Sequence, residues 1–329
     1  MASFAPSFRK AALLYNPAAG SRAERLRRDV DAVAQVFHAA GVAAEVVPTR
    51  GPGTASLQAL ELALHGCDCI VACGGDGTVN EAMQQMVAVR LPASLGVIPL
   101  GTGNGLAADL GISSRPRAAA QALLRAEPRR IAVGKMEWEF DPKVSPEGAA
   151  RRSRYFMISA GAGADAEIIY RLSASLKQHT GKAAYYLQGW RLFWTHRFPC
   201  FEAEWETIEG NRRRETVGQV LVVRIANFGG VMRHFAPAAD LYRDELRLAV
   251  FRSVRRRTIL RHSIAATLNR FWQIPGLDFV SARQVTCRFA EGARVEGLVR
   301  VQLDGELLGA LPVRFSIVPD ALTLLAPRR

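Results

Sequence analysis

The chain has 329 residues, of which 49% are hydrophobic and 22% charged, and its formal net charge is +13 at pH 7. The length suits two domains with substantial cores. Because the sequence has no long apolar run and no apolar leader, we expect a protein that neither spans a membrane nor is secreted. The odd number of cysteines fits a reducing compartment, so we expect a cytoplasmic protein. The positive charge predicts anionic partners, and because no nucleic-acid-binding motif accompanies it, we favour an anionic membrane surface or a nucleotide over nucleic acid.

Short apolar strands alternate with amphipathic helices through the first third of the chain. The predicted strands cover residues 11–15, 42–47, 69–73 and 95–99, and the predicted helices cover 23–40 and 55–65, with a third beginning at Val79. In the helical segments the apolar residues recur at the spacing of one helix face. The pattern predicts a mostly parallel sheet in a Rossmann-like α/β domain over residues 1–128, with ligands at the carboxyl ends of its strands.

Glycine-rich or polar turns follow these strands at the ends where ligands are expected. They are Asn16, Pro17 and Gly20 after the first strand, Thr49 after the second, Gly74, Gly75, Asp76, Gly77 and Thr78 after the third, and Gly101, Thr102, Gly103 and Asn104 after the fourth. Glycine lets backbone N–H groups approach a ligand closely, and the first N–H groups of a helix favour an anion. The turns therefore predict a phosphate-binding site.

Two acids near the central turn have separate interpretations. Glu81 stands three residues after Thr78, the spacing of a capping box, so this candidate nucleotide-binding residue also has a structural interpretation. Asp76 lies beside a site suited to anions, which is unfavourable unless a metal ion or a hydroxyl donor uses its carboxylate. We therefore expect Asp76 to contact a ligand.

From about residue 129 the chain changes to strands without intervening helices. Strand-like runs cover residues 131–140, 155–159, 201–206, 217–226, 246–251, 284–289, 295–303 and 313–318. Residues 201–206 alternate apolar and acidic side chains, which is typical of a half-buried antiparallel strand. These runs predict a mainly antiparallel β-sandwich domain over residues 129–318.

The central turn and the residues after it resemble a known family. Gly74-Gly75-Asp76-Gly77-Thr78 followed by Asn80-Glu81 is similar to the nucleotide-binding loop of the diacylglycerol kinase catalytic-domain family, which includes bacterial lipid kinases and sphingosine kinases. The turns at 16–20 and 101–104 match the family in order and approximate spacing, as do segments 159–167, 181–185, 227–239 and 303–306. The resemblance implies an ATP-dependent and Mg²⁺-dependent lipid kinase in which the last residues, about 319–329, return from the sandwich to the first domain.

The resemblance also implies catalytic roles for three acids. Asp304 is the predicted base for a diacylglycerol-like or sphingoid hydroxyl, and Glu306 is its neighbour, acting by electrostatics or by metal contact. Asp76 acts through nucleotide-bound Mg²⁺ or orients the acceptor, and the metal ligands are otherwise left open. Without the family resemblance, Asp304-Gly305 is simply a hairpin turn, and the two interpretations are compatible.

Two departures from the family pattern leave alternatives open. Gly105 follows Asn104 where relatives commonly have an aspartate, and Arg243-Asp244 stands where relatives usually carry an Asp-Gly pair that helps to hold a structural magnesium ion. We therefore do not predict that ion. The alternatives are an NAD kinase-like enzyme with a similar glycine loop, and a nucleotide- or lipid-binding protein with impaired catalysis.

Two further segments bear on partners. Aromatic side chains between residues 185 and 194, flanked by lysines and arginines, suit a membrane interface, although an ordinary helix packed on the sandwich would show the same pattern. A second basic cluster spans residues 252–261 and is either a solvated face or a membrane contact. We expect peripheral association with an anionic membrane, and we leave the oligomeric state open, with a homodimer as one option.

Overall fold

The computed structural model describes residues 6–18, 23–138, 152–167, 199–227, 236–253, 276–290 and 298–327. The N-terminal elements are β1 (Lys10–Tyr15), α1 (Ala23–Ala39), β2 (Ala43–Pro48), α2 (Ala55–Leu64), β3 (Cys69–Gly74), α3 (Asp76–Ala88), β4 (Ser94–Pro99), α4 (Gly105–Asp109) and α5 (Pro116–Leu124). Eleven strands follow in the described ranges: β5 (Glu127–Trp138), β6 (Arg152–Phe156), β7 (Ser159–Gly163), β8 (Phe201–Thr207), β9 (Arg212–Val217), β10 (Gln219–Val223), β11 (Leu246–Phe251), β12 (Leu277–Arg288), β13 (Arg300–Leu303), β14 (Glu306–Ala310) and β15 (Val313–Ala326).

The N-terminal half is a parallel sheet with helices on both faces. Strands β2, β1, β3 and β4 lie side by side in that order, and every pair is parallel. Successive side chains of β1 point to opposite faces, so Ala12 and Leu14 pack in a core with α2 and α3, while Ala11 and Leu13 pack in another with α1 and α5. This arrangement is the predicted Rossmann-like α/β architecture.

The C-terminal half is built from antiparallel strands around a third core. Its strand order is β14, β13, β7, β10, β11, β12 and β15, with β8 beside β12 and β9 beside β8. The rings of Phe156 and Phe315 meet edge to face at 6.4 Å in this core. A Cβ atom on Gly134 would lie 2.3 Å from the Phe156 ring, so glycine is required there. The half is sandwich-like, as the alternating strands predict.

Strand β15 connects the two halves. Its first residues, from Val313, pair antiparallel with β12, and Leu324 near its end pairs parallel with Leu95 of β4. Strand β5 accompanies β15 over nearly its whole length. Beyond this strand, Asn80 of α3 bonds Asp304, and Asp109 of α4 accepts hydrogen bonds from the Ala226 and Asn227 N–H groups. The helices that follow the glycine turns of β3 and β4 therefore lie next to the antiparallel half. The domain limits at residues 128 and 318 stay predictions.

Several local predictions were wrong. Helix α3 begins at Asp76 and not at Val79, and helices α4 and α5 were not predicted. Residues 155–159 belong to two strands, β6 and β7, and residues 217–226 contain the end of β9 and all of β10, with Gly218 between them. In both places the apolar character continues through a change of chain direction, so the hydrophobic pattern alone could not reveal the break.

Several predicted features lie outside the described residues, among them the family segment 181–185 and residues 228–235 of the segment 227–239. Others are Gly20, the aromatic and basic stretch within 168–198, and most of the basic cluster, over 254–261. In the part of the chain that the structure describes, the helices are too short or too polar to cross a membrane.

Candidate active site

The glycine turns after β3 and β4 lie against each other. Gly75 is the N-cap of α3, and no side chain caps this helix. A Cβ atom on Gly101 would lie 2.3 Å from the Cα atom of Gly75, so a side chain at 101 would force the two turns apart. Close approach of two backbones at a helix N-terminus leaves N–H groups directed at the same space. This geometry suits the phosphate groups of a nucleotide.

Asp76 ties the central turn to the next one. Its Oδ2 accepts a hydrogen bond from the Gly105 N–H at 2.8 Å, and its Oδ1 accepts one from the Leu106 N–H at 3.2 Å. Both donors lie at the start of α4, so Asp76 has a structural role in which it holds the start of this helix. The sequence did not reveal that role. A Cβ atom on Gly105 would lie 3.6 Å from Asp76 Oδ2, so steric crowding does not explain the glycine at 105.

Two asparagines shape the outer turns. Asn104 adopts a left-handed backbone (φ 51°), accepts a hydrogen bond from the Gly101 N–H at 3.1 Å and donates one to the Gly101 carbonyl at 2.7 Å. Asn16 Oδ1 accepts a bond from the Ala18 N–H at 2.9 Å. Pro17, Thr102 and Gly103 are exposed around these turns. The asparagines fix the turns, and the exposed residues are left accessible to a ligand.

Thr49 carries a buried hydroxyl with no partner in the described structure. The residue is 8% exposed, its N–H donates to the Tyr15 carbonyl at 2.8 Å, and its Oγ1 makes no hydrogen bond. A buried polar atom without a partner costs free energy, so a ligand group that bonds it would be favoured. A cavity of about 600 Å³ lies beside the same strand end, lined by Tyr15, Pro17, Arg27 and Arg28 among others. These residues fit a nucleotide.

The predicted capping box at Thr78 and Glu81 is wrong. Glu81 Oε1 accepts a hydrogen bond from the Ala55 N–H at 3.0 Å, so this acid caps the first turn of the neighbouring helix α2. Thr78 instead packs over Gly74, where an added Cβ would lie 2.5 Å from Thr78 Oγ1. Glu81 thus has a structural role, because it connects α3 to α2.

Asp304 occupies the hairpin turn between β13 and β14. Asp304 and Gly305 both have positive φ, 47° and 85°, as the two-residue turn requires. The Asp304 N–H donates to the Ser159 carbonyl at 2.8 Å, and its Oδ1 accepts from the Ser159 N–H at 2.8 Å. Its Oδ2 accepts from Asn80 Nδ2, on α3, at 2.7 Å. The carboxylate is thus fixed one helical turn from the start of α3 and its glycine turn.

The surroundings of Asp304 hold it close to its titration point at neutral pH. Its pKa is raised to about 7, mainly by removal from water. The hydrogen bonds from Ser159 and Asn80 oppose this rise, and the negative charges of Asp76 and Glu306 contribute to it. A general base works best when its pKa lies near the working pH. Asp304 can therefore both accept and release a proton.

Glu306 lies at the start of β14, and its side chain is 60% exposed. Its Oε2 is 2.8 Å from Nη1 of Arg154 on β6. The ion pair engages the carboxylate at the surface, so Glu306 acts on Asp304 through its charge. This matches the role of electrostatic neighbour and gives no support to direct proton transfer by Glu306.

Sequence reasoning missed the residues that support Asp304. Asn80 is 6% exposed, and Gln84 Nε2 donates to its Oδ1 at 3.1 Å. The available clue was a pair of amides spaced four apart, which places both on one face of the predicted helix. From the other side, Gln302 Oε1 accepts from the Gly305 N–H, and Gln302 Nε2 donates to the buried Asp165, whose pKa burial raises to about 6.

A buried arginine occupies the region where the family resemblance would place a structural magnesium ion. Arg224, 1% exposed, donates hydrogen bonds to five main-chain carbonyl groups, those of Ala132, Asp240, Leu241, Arg243 and Glu245. Burial lowers its pKa to about 10, against the opposing charges of nearby acids, so it remains a cation at neutral pH. These carbonyls do not fit an additional metal ion, because a guanidinium already uses them.

A second cavity, of about 720 Å³, lies in the antiparallel half. It is lined by Arg243, Arg283, Arg314, Glu206 and Glu245, among others. Its mixed charges and its lack of any predicted site residue separate it from the glycine turns. Across the described ranges, histidine, cysteine, aspartate and glutamate side chains nowhere form a group of three or more that could hold a metal ion.

Comparison with known proteins identifies the family. Residues 10–136 match the model of the diacylglycerol kinase catalytic domain, and residues 158–326 match the YegS C-terminal NAD kinase beta sandwich-like domain. The chain is 28% identical over 311 residues to a diacylglycerol kinase of Bacillus subtilis, covering 93% of each. It is 28% identical over 184 residues to one of Staphylococcus saprophyticus, covering 56% of this chain and 55% of that protein.

Solved structures show the same fold. A putative diacylglycerol kinase from Bacillus anthracis superposes with a TM-score of 0.72 at 22% identity, covering 97% of this chain and 98% of that one. The predictions of a Rossmann-like domain followed by a β-sandwich, and of a phosphotransferase, are thereby confirmed. The chain belongs to the diacylglycerol kinase catalytic-domain family of ATP-dependent lipid kinases.

Proposed function

We propose that this protein transfers the γ-phosphoryl group of ATP to a hydroxyl of a diacylglycerol-like or sphingoid lipid, with Asp304 as the general base. One observation carries the proposal: a carboxylate with a pKa near 7 is fixed by Ser159 and Asn80 close to the start of α3, where the glycine turns suit phosphate groups. The names of the Bacillus subtilis and Staphylococcus relatives support diacylglycerol as the first acceptor to test.

The proposed chemistry gives each group one task. Backbone N–H groups of the turns at 74–78 and 101–104 hold the phosphates, apart from those of Thr78 and Gly101, which bond the Gly75 carbonyl and Asn104 Oδ1. The Thr49 hydroxyl bonds the nucleotide. The lipid hydroxyl oxygen attacks the γ-phosphorus, and the bond from that phosphorus to the bridging oxygen of ADP breaks. The hydroxyl proton passes to Asp304, which later returns it to solvent. The products are the lipid phosphate and ADP.

Magnesium enters this scheme with the nucleotide. Mg²⁺ neutralises phosphate charge during phosphoryl transfer, and it prefers one or two carboxylates together with phosphate oxygens. Asp76 is the acid closest in sequence to the glycine turn and is our candidate for that contact. Its oxygens can serve both purposes, because each carboxylate oxygen has a second lone pair beyond the one that Gly105 or Leu106 uses.

A labelled-ATP assay over a panel of acceptors tests the proposal. The panel contains diacylglycerol, monoacylglycerol, a sphingoid base, ceramide and NAD, each with and without Mg²⁺. We expect Mg²⁺-dependent labelling of a lipid, lost in the Asp304→Asn variant. Labelling of NAD alone would establish the NAD kinase-like alternative, to which the description of the second matching domain also points.

The catalytically impaired alternative makes a different prediction in the same assay. It is motivated by Gly105 and by the Arg243-Asp244 pair, and it predicts nucleotide binding without turnover on any lipid. The Asp304 network speaks against it, because a carboxylate that is held beside the start of α3 and has a raised pKa is typical of a functional site. Isothermal titration with ATP, run beside the assay, distinguishes binding from turnover.

We also propose peripheral association with an anionic membrane, which supplies the lipid acceptor. The support is the formal net charge of +13, since each Lys or Arg near an anionic leaflet contributes about 1 kcal/mol and the attraction is screened by salt. Sedimentation with anionic vesicles should weaken steeply as salt rises. Equal binding to neutral vesicles at every salt concentration would contradict this proposal.

A further inference from the structure

We propose that Asn80, oriented by Gln84, is a positioning residue that presents a hydrogen-bond donor to the Asp304 carboxylate and so holds this base in its reactive orientation. The inference rests on the proposed function, because it assigns Asn80 and Gln84 a role in the reaction of Asp304. It assigns a role in catalysis to two side chains on α3, although the base lies on a hairpin that is far from α3 along the chain.

The main chain of Tyr155 fixes the orientation of the Gln84 amide, and the Gln84 amide in turn helps to fix that of Asn80. The Tyr155 N–H donates to Gln84 Oε1 at 3.0 Å, which assigns the amide oxygen of Gln84 to Tyr155. The NH₂ group of Gln84 must then donate, and three acceptors lie within its reach: the Tyr155 carbonyl at 2.9 Å, the Asn80 carbonyl at 3.0 Å and Asn80 Oδ1 at 3.1 Å. Because Asn80 Oδ1 is thereby an acceptor, its NH₂ group faces the Tyr155 carbonyl and Asp304 Oδ2, at 3.1 and 2.7 Å.

The consequence is that a donor, and never an amide oxygen, meets the base. If the Asn80 amide turned over, its oxygen would face the Tyr155 carbonyl and the Asp304 carboxylate, and its NH₂ group would face that of Gln84, so Gln84 adds to the preference for the observed orientation. A donor also favours the charged form of Asp304, in the same direction as the Ser159 N–H. The charges that act on Asp304 are those of Asp76 on α3 and Glu306 on β14, the latter paired with Arg154. Asn80 and Ser159 are thus the two groups that stabilise the ionised base.

The arrangement also explains why α3 is the supporting element. Asn80 lies one turn from the glycine turn that begins the helix, and Gln84 lies one turn further. Gln84 bonds both main-chain groups of Tyr155 on β6, so the helix is fastened to the antiparallel half at that residue. The base and the phosphate-binding turn are therefore held in one frame, as an in-line transfer requires.

The test compares variants of the two amides by kcat and KM as functions of pH. We expect Asn80→Ala to lower kcat about tenfold and to move the acid limb of the kcat/KM profile up by about one pH unit, with the KM for ATP changed less than about twofold. Gln84→Met should produce a smaller shift in the same direction. Gln85→Met is the matched control, since Gln85 is also half-buried on the same helix and makes no hydrogen bond to the network. It should follow the wild-type profile.

A double-mutant cycle decides between positioning and mere packing. If Asn80 acts through Asp304, Asn80→Ala should change the residual turnover of Asp304→Asn by less than about twofold. An equal loss of kcat in both backgrounds, with an unshifted pH profile, would overturn the inference. If Asn80→Ala does not fold, the Gln84→Met profile and its cycle with Asp304→Asn test the inference by the same two criteria. Full turnover by Asp304→Asn itself would instead reject the proposed base, whatever Asn80 does.

Discussion

Arg224 is buried and Asp304 is half-buried, and the structure supports these two ionisable side chains in opposite ways. Arg224 is enclosed by five main-chain carbonyl groups and stays a cation at neutral pH. The Asp304 carboxylate accepts hydrogen bonds from two donors and feels two negative charges, so its pKa lies near 7. The bonds that the two terminal nitrogens of Arg224 donate hold this side chain as a cation although its Nε has no partner in the described structure, whereas the two bonds that Asp304 accepts leave its proton exchangeable.

The largest expected effect is the loss of stability when Arg224 is replaced. Arg224→Met removes the cation and the donor to five carbonyl groups, three of them in buried bonds, so we expect a loss of about 3 to 5 kcal/mol in the free energy of unfolding. Urea unfolding measures the change. Arg252→Met is the control, because Arg252 forms exposed ion pairs with Glu215 and Asp278 whose loss should cost less than about 1 kcal/mol.

The same experiment tests the relation between Arg224 and a metal ion. We expect EDTA to leave the unfolding midpoint of the wild-type protein unchanged, because the carbonyl cluster is filled by a guanidinium. Stabilisation of the wild type by millimolar Mg²⁺ in the absence of nucleotide would contradict this assignment. An Arg224→Met variant as stable as the Arg252→Met control would also contradict it.

The second expected effect concerns turnover. Asp304→Asn keeps the size of the side chain but cannot accept a proton, so we expect kcat to fall by roughly a hundredfold or more with nucleotide affinity retained. Asp76→Asn should also change the apparent affinity for Mg²⁺-ATP. Steady-state kinetics over both substrates separates the two acids. Near-normal turnover of Asp304→Asn beside an inactive Asp76→Asn would move the catalytic assignment away from Asp304.

A third prediction follows from the pKa of Asp304. With a pKa of about 7, the base is mostly protonated at acidic pH, so kcat/KM should rise about tenfold between roughly pH 6 and pH 8. The effect on stability has the opposite sign, because the folded state binds this proton more tightly than the unfolded chain does. The contribution of Asp304 to the free energy of unfolding therefore falls as the pH rises from the ordinary pKa of an aspartate, 3.8, to about 7. Asp304→Asn should therefore lessen the stability loss over that range, which urea unfolding at several pH values measures.

These residues also show what sequence can and cannot predict. The alternation of strands and helices predicted the parallel half, and Asp304-Gly305 was predicted as a hairpin turn from the dipeptide alone. The contact between Asn80 and Asp304 joins residues far apart in the chain, and no local pattern contains it. Arg224 was invisible for a related reason, because its partners are main-chain carbonyls that carry no residue identity. Local periodicity thus predicts elements, while burial and long-range pairing decide the site.

The smallest expected effect concerns Glu306, which influences Asp304 only through its charge. Glu306→Gln removes one negative charge near Asp304 and breaks the exposed pair with Arg154, so the acid limb of the pH profile should move down by a few tenths of a unit. Turnover at the optimum should change less than about threefold, because an exposed, ion-paired carboxylate is poorly placed to accept the proton. Glu215→Gln, which removes another ion-paired acid on β9, is the control for loss of charge alone. A fall in turnover as large as that of Asp304→Asn, with Glu215→Gln unaffected, would assign the proton transfer to Glu306.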